Sequence, residues 1–457
     1  MDTKNLQNVY MLGIGGIGMS AIALYLHHKG VHVSGYDKTE SPITQLLISK
    51  GIAVSYKDEI ASIPSQVDLV IYTPAVPVQS VVFSYCKQHF PMEKRSAILG
   101  KITADYKTFA VAGTHGKTTV SSMLAHILHH CQIDVSAFMG GIANNFNSNL
   151  LLNNKAEYMI VEADEFDRSF LTLKPQTAII TCVDADHLDI YGNVDEFKKT
   201  FELFAQNCSK NGLLVYRSDI SIALPTDIKR LSYSIVESEK ADYKAVNIKV
   251  QNGALVFDLH RKSEYIKSLQ LGIPGRHNIE NVIAAIAACD TFNFTEVQIR
   301  SALASYTGVK RRYDVIKNGG QTIYIDDYAH HPAELNAIIN SVKEIYPNKK
   351  ISGIFQPHLF SRTRDFLPEF AMSLSQLDEL FLLPIYPARE TPIEGINSAV
   401  LLEKINCKSK KLVEKENLLE NVYHLKTDVL LTLGAGDIDR FVAPIKDLLD
   451  RKEAVKC

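Results

Sequence analysis

The segment Gly113-Thr-His-Gly-Lys-Thr-Thr119 holds the residue types that cradle a polyphosphate. Glycine lets backbone N–H groups approach an anion, Lys117 brings positive charge, and the Thr118 hydroxyl can bind Mg2+. The spacing departs from the general GxxxxGK[ST] loop, because Val111 stands where that pattern has its first glycine. The bland alternative is a glycine-rich turn with an exposed lysine. Context favours phosphate: the apolar run Thr108–Ala112 predicts a strand before the loop, and Thr118–Cys131 predicts a helix after it. Further on, Glu162-Ala-Asp-Glu-Phe-Asp167 places four carboxylates in six residues after the apolar run Tyr158–Val161. Such a run repels itself unless a cation or basic substrate is near, or it is simply a solvated acidic loop. Ligands of open α/β sheets gather at the carboxyl ends of strands, so Glu162 is expected to reach Mg2+, ahead of Asp164 and Asp167. His187, within Asp184-Ala-Asp-His-Leu-Asp189, is expected on the same edge as a metal ligand or substrate contact, although Mg2+ prefers oxygen.

Near the start, Gly13-Ile-Gly-Gly-Ile-Gly18 fits GxGxxG, and Asp37 ends the second predicted strand. That pattern argues for a diphosphate on a helix N-terminus with an acid near a ribose, without saying which nucleotide. In the last third, Asp326-Asp-Tyr-Ala-His-His-Pro332 and Gln356-Pro-His-Leu-Phe-Ser-Arg-Thr-Arg364 each follow a predicted strand. Arginine captures carboxylate or phosphate with two parallel hydrogen bonds, which suits a small anionic co-substrate. Ordinary helix caps and surface ion pairs are the alternative there.

The elements that must position these residues alternate strand and helix, predicting α/β architecture with doubly wound parallel sheets. Strands are expected at Asn8–Leu12, Val31–Tyr36 and Val67–Thr73, with a helix over Ser20–Lys29 and a linker near Lys101–Lys107. The middle block adds Thr177–Cys182, strands and hairpins over 213–275 with a turn at Asn252-Gly253, and an Ala-rich helix over Asn278–Cys289. The last block opens near Asp314, with strands at Thr322–Ile325, Ile351–Gln356, Leu380–Ile385 and Val429–Leu433, and a helix over Pro332–Ile345. The 457 residues suggest about three domains. With 49 Lys plus Arg against 51 Asp plus Glu, nothing draws the whole chain to nucleic acid or anionic membrane. The seven cysteines form no CxxC pair, which fits free thiols in a reducing cytoplasm. The uncharged stretch Val9–Leu26 is better explained by a strand, a glycine turn and a helix than by a signal or membrane segment.

Taken in order, GIGGIGMSA, GTHGKTT, EADEFDRSF, DADHLDIYG, PGRHNIEN, GVKRRYDV, DDYAHHPAE, QPHLFSRTRD and LGAGDI resemble the Mur ligases of bacterial peptidoglycan synthesis along the whole chain. The resemblance implies three α/β domains. They are an N-terminal Rossmann-like parallel sheet for a UDP-sugar (1–105), a central P-loop ATPase-type domain (106–313), and a C-terminal Rossmann-like domain for an amino acid (314–457). It implies ATP and Mg2+, cytoplasmic location, and a monomer or homodimer with small-molecule substrates. The implied reaction is amide formation through an acyl phosphate. The C-terminal QPHLFSRTRD resembles the members that join L-alanine to UDP-N-acetylmuramate. By similarity, Gly113, Thr114, His115, Gly116, Lys117, Thr118 and Thr119 bind ATP, with Lys117 on the β/γ phosphates. His277, Asn278 and Asn281 match the motif near the adenine end. Thr118 and Glu162 would hold Mg2+, with His187 at a second metal. Arg311 and Arg312 match a substrate-phosphate position, with Arg312 favoured. Asp327, Tyr328 and His330 match ATP and amino-acid contacts, and Arg362 the grip on the alanine carboxylate. Some relatives carry arginine where this chain has Leu359, so Arg364 is a possible helper. Gly15, Gly16, Ile17, Gly18, Met19 and Ser20 would line the UDP diphosphate, with Asp37 and Thr73 by the ribose or base. The catalytic set so implied is Lys117, His187, Arg312 and His330. Three rivals stand beside this reading. They are a recycling ligase that adds a whole tripeptide, an NAD-dependent oxidoreductase built on GIGGIG and Asp37, and a non-catalytic nucleotide switch. Because ligands on separate domains must meet within about 3–3.5 Å for attack, domain closure is also expected.

Overall fold

The computed structural model describes residues 6–184, 188–251, 253–262, 264–388 and 390–454. Its first sheet holds β1 (Asn8–Leu12), β2 (His32–Tyr36), β3 (Ala53–Ser55), β4 (Leu69–Tyr72) and β5 (Met92–Lys94). All pairs are parallel, in the order 3-2-1-4-5. The chain order reverses between β1 and β4, where open parallel sheets form their ligand crevice. The turn after β1 sits at that reversal. Gly13 holds φ +79°, open to glycine, and its amide donates to Tyr36 O at 2.8 Å. The helix that follows, Ile17–His28, starts earlier than expected because extended Gly16 is its N-cap. The uncharged stretch therefore breaks into strand, turn and a helix of 12 residues. Among the described residues, no helix is long and apolar enough to cross a membrane.

The second sheet has ten strands: β6 (Lys107–Ala112), β7 (Val135–Ala143), β8 (Ser148–Leu151), β9 (Tyr158–Glu162), β10 (Thr177–Ile180), β11 (Leu213–Arg217), β12 (Lys229–Ser234), β13 (Tyr243–Gln251), β14 (Ala254–Arg261) and β15 (Glu264–Gln270). Their order is 15-14-13-12-11-10-6-9-7-8. Parallel neighbours β9 and β10 flank β6. The phosphate-type loop after β6 thus lies between the carboxyl end of β9, which is Glu162, and residues 181–184 after β10. Strand β7 and the helix Val194–Gln206 add to the expected elements. The expected linker shrinks to Ala104–Tyr106, because helix Arg95–Thr103 runs into it and β6 begins at Lys107.

The third sheet holds β16 (Asp314–Lys317), β17 (Ile323–Asp327), β18 (Ile351–Phe355), β19 (Glu379–Leu382), β20 (Ser409–Leu412) and β21 (Val429–Leu433), in the order 16-17-21-18-19-20. Only β16 pairs antiparallel. Helix Pro332–Ile345 falls where the sequence puts it, with Pro332 in the first turn and a capping box between His331 and Glu334.

Contacts divide the chain into two compact units. One runs to Val246 and adds Asp258–Leu269 and Glu280–Tyr306; the other holds Asn247–Phe257, Gln270–Ile279 and the chain from Thr307. Within the first unit, the two sheets share one core. Met19, Ile22 and Leu26 of the first helix belong to the same apolar cluster as Phe138, Leu150 and Met159. Asn149 of β8 donates to Ile17 O at 2.6 Å and Ser20 Oγ at 3.2 Å. Burial of this shared surface fixes the glycine turn relative to the phosphate-type loop.

Candidate active site

The loop between β6 and helix Lys117–His130 is shaped by two glycines that no other residue could replace without strain. Gly113 has φ +134° and a Cβ there would stand 2.0 Å from Thr181 Oγ1; Gly116 has φ +83° and its Cβ would stand 2.6 Å from Asn281 Oδ1. The residues after β10 hold the loop down. Thr114 N donates to Cys182 O, the Thr114 hydroxyl donates to Asp184 O, and the His115 amide donates to Cys182 Sγ at 3.1 Å. Thr118 and Thr119 are buried in the first helical turn.

Thr118 Oγ1 donates to Glu162 Oε2 at 2.9 Å, so the two expected metal ligands lie together. Hard oxygen donors of this kind suit Mg2+. Gly140 of β7 leaves the space that Glu162 fills, since a Cβ there would stand 1.9 Å from Oε2. Lys117 Nζ folds back to Gly113 O at 2.7 Å and meets both oxygens of Glu165, at 2.9 Å and 2.7 Å. Burial alone would lower the lysine pKa, but Glu165, Glu162 and Asp164 outweigh it and hold the group at about 12. Burial pushes the Glu165 carboxyl up, against the pull of Lys117. His187 lies outside the described residues. Among the described residues, no group of three or more His, Cys, Asp or Glu side chains could hold a metal.

A cleft of about 960 Å³ runs from the glycine turn to this carboxylate. Gly15, Gly16, Ile17, Gly18, Met19, Asp37 and Thr73 line it at one end, and Gly140, Glu162 and Asp164 at the other. Asp37 Oδ2 accepts from Gly15 N at 2.8 Å. Ser20 is turned away, 1% exposed, donating to Ile17 O and accepting from Asn149. Arg95 crosses the cleft, its Nη1 2.9 Å from where a Gly18 Cβ would be and its Nη2 3.5 Å from Asp164 Oδ2. Sequence reasoning missed Arg95, Glu165 and Gly140. The signal for Arg95 was a basic pair, Lys94-Arg95, at the end of the short strand β5, whose carboxyl end shares an edge with the glycine turn.

In the second unit, the two neighbouring arginines do different things. Arg311 is tied to Asp326 at 3.1 Å and to Gly434 O at 2.6 Å. Arg312 lies 5.1 Å from the Tyr328 ring centre and 3.7 Å from Glu334. Asp327 accepts from the amides of Tyr313 and Ala329 at 2.7 and 2.8 Å. Burial raises its carboxyl to about 6, although Arg312 and those amides pull it down. His330 stacks edge-on to Tyr328 and stands 3.3 Å from Glu334; burial and then Arg362 and Arg312 lower its pKa against the pull of Glu334. Arg362 lies 3.3 Å from His358, whose ring is 6.0 Å from that of His330. Arg364 instead pairs with Asp365 on the surface. Leu359 begins this short helix at φ +72°, which bulky residues rarely adopt. His277 is packed against Ser341, with burial and Arg312 lowering it to about 4, and Asn278 donates to Pro274 O. In the first unit, Asn281 sits against Gly116.

Comparison with known proteins gives three consecutive family matches. Residues 8–107 match the family described as Mur ligase family, catalytic domain; 111–289 match Mur ligase middle domain; 311–436 match Mur ligase, glutamate ligase domain. The UDP-N-acetylmuramate–L-alanine ligase of Flavobacterium psychrophilum is 48% identical over 458 residues, covering 99% of this chain and all of the relative. The crystal structure of the UDP-N-acetylmuramate-alanine ligase of Thermotoga maritima superposes with a TM-score of 0.84 at 28% identity, covering 97% of this chain and 99% of the other. A murein peptide ligase from Psychrobacter arcticus shares the fold, with a TM-score of 0.70 at 21% identity over 98% and 99% of the two chains.

Proposed function

The chain belongs to the Mur ligase family, and from that premise we propose that it joins UDP-N-acetylmuramate to L-alanine with consumption of ATP. One observation carries the reading. The cleft lined by the glycine turn ends at Glu162, and the phosphate-type loop meets the same carboxylate through Thr118. An acid on a nucleotide-linked sugar in the cleft and a phosphoryl donor on the loop would thus share one edge.

A carboxylate is a poor electrophile, because its charge repels nucleophiles. In the proposed first step the lactyl carboxylate attacks the γ-phosphorus of ATP, giving an acyl phosphate and ADP. In the second, the amine of L-alanine attacks the acyl carbon, an amide forms and phosphate leaves. Both steps crowd negative charge, which fixed cations stabilise. Lys117 and the loop amides serve the ATP phosphates, with Thr114, His115 and Thr119 shaping the loop. Thr118 and Glu162 are the residues that would hold Mg2+, with His187 proposed at a second ion. Magnesium, when bound, neutralises phosphate oxygens and orients them. His277, Asn278, Asn281 and Asp327 serve the nucleotide. Gly15 to Met19, Asp37 and Thr73 serve the UDP-sugar, and Arg95 joins them as a cation facing the diphosphate. Arg312 and His330 are assigned to the reacting groups, and Tyr328 and Arg362 to alanine. The assignment of residues 1–105 to the UDP-sugar, 106–313 to ATP and 314–457 to the amino acid belongs to the same proposal, as does a cytoplasmic monomer or homodimer.

The test is UDP-N-acetylmuramate labelled with 18O in its lactyl carboxylate. One labelled oxygen is expected in the released phosphate. Product formed with unlabelled phosphate would sink the acyl phosphate, and turnover with the tripeptide but not with alanine would move the substrate to the recycling reaction.

A further inference from the structure

We propose that Glu165 is a positioning residue for the nucleotide: it holds Lys117 while the phosphate loop is empty and takes it back as ADP leaves. The inference rests on the ATP reading of that loop. Lys117 is folded back onto its own loop. Its ammonium meets Gly113 O at 2.7 Å, Thr114 O at 3.4 Å and the two Glu165 oxygens at 2.9 and 2.7 Å. These partners occupy the donors that a phosphate needs. Glu165 is 2% exposed, and its Oε2 has no hydrogen bond from any other group among the described residues. The Tyr191 hydroxyl donates to the Glu165 main-chain carbonyl, so the backbone that carries the carboxylate is anchored. The acid is therefore held at this buried strand end beside the lysine.

A buried carboxylate that loses its cation is left uncompensated, and here Glu162 and Asp164 already load the same strand end with negative charge. Each nucleotide that draws Lys117 to its phosphates must break this pair. The pair opposes binding of ATP and ADP alike, and its re-formation favours departure of the product. A carboxylate that merely braced the loop would act in the opposite sense, because removing it would loosen the nucleotide site.

The two roles separate in titration calorimetry of the full-length protein with ADP and Mg2+. Glu165→Gln keeps the shape and removes the charge. It is expected to bind ADP about tenfold more tightly than the wild type, the scale of one charge-assisted hydrogen bond, and to release it correspondingly more slowly in stopped flow. The gain must vanish in a Lys117→Ala background, because the competition is then gone. Should the Gln variant fail to fold, Glu165→Asp decides, since a shorter acid holds Lys117 less well and must also tighten ADP. Equal or weaker ADP binding by the folded variant, beside a wild type that binds normally, overturns the role of Glu165 alone. A wild type that binds no ADP overturns the phosphate-loop reading and this inference with it.

Discussion

Replacing Gly140 by alanine separates the geometry of the carboxylate from the stability of the fold. A Cβ at that position would stand 1.9 Å from Glu162 Oε2 and 2.6 Å from its Cδ, whereas ordinary contact begins at 3.4 Å. The oxygen must retreat by 1.5 Å, the difference between 3.4 and 1.9. Glu162 is only half-buried and its end is flexible, so it can turn aside at a rotamer cost of about 0.5–1.5 kcal/mol. The melting temperature should then fall by only about 2–4 °C. Function should suffer far more, because the 2.9 Å approach of Thr118 to Glu162 is lost. A misplacement of about 1 Å can lower a rate by roughly 100-fold. The assay is phosphate release with ATP, UDP-N-acetylmuramate and L-alanine while Mg2+ is titrated. Gly140→Ala is expected to show kcat about 100-fold down, with half-maximal activity at higher Mg2+ and no recovery at saturating UDP-sugar. A folded variant with kcat within about twofold of the wild type at the same Mg2+ would refute the placement of Glu162 at the metal, since a loss of that size is outside the 100-fold scale expected.

Lys117→Ala should abolish turnover while leaving UDP-sugar affinity intact by calorimetry, because Lys117 is not among the residues that line the cleft; lost sugar affinity would contradict the division of labour. Arg362→Ala should raise the KM for alanine by at least about tenfold, the scale of a charge-assisted contact, and Arg364→Ala should leave it unchanged, since Arg364 is paired with Asp365 at the surface. Equal effects of the two would remove Arg362 from the amino-acid site. Asp327 has a folded pKa of about 6 against an ordinary 3.8. Its protonation therefore contributes stability that is complete below about pH 4 and lost as pH rises through about 6, on the order of 3 kcal/mol. Urea unfolding of wild type and Asp327→Asn should show their stability difference drift by that order between pH 4 and 7, and a constant difference would reject the buried-acid account.

The sequence was legible where one short segment carries its own context. The loop around Lys117 is bracketed by an apolar strand and a helix, and the glycine turn is bracketed in the same way, so element and chemistry could be read together. The acidic run after β9 was legible as a group but not residue by residue. Alternating carboxylates look alike until folding buries Glu165 on Lys117 and leaves Glu162 for Thr118. Arg95 opens the helix after β5 of the first sheet, Asp164 follows β9 of the second, and they meet only because the two sheets share a core, which no local pattern encodes. Ser20 sits inside the glycine motif yet faces Asn149, because the helix has already turned it inward. The paired arginines were indistinguishable as neighbours in the chain, and only Asp326 and Gly434 reveal which one is structural.

The bond from the His115 amide to the Cys182 thiol bears on how readily the loop accepts an anion. Sulfur is a feeble acceptor. An amide resting on it is satisfied just enough to stay ordered, yet it can be surrendered to an incoming oxyanion with little loss. An oxygen in place of that sulfur would compete for the same proton and blunt the loop's appetite for phosphate.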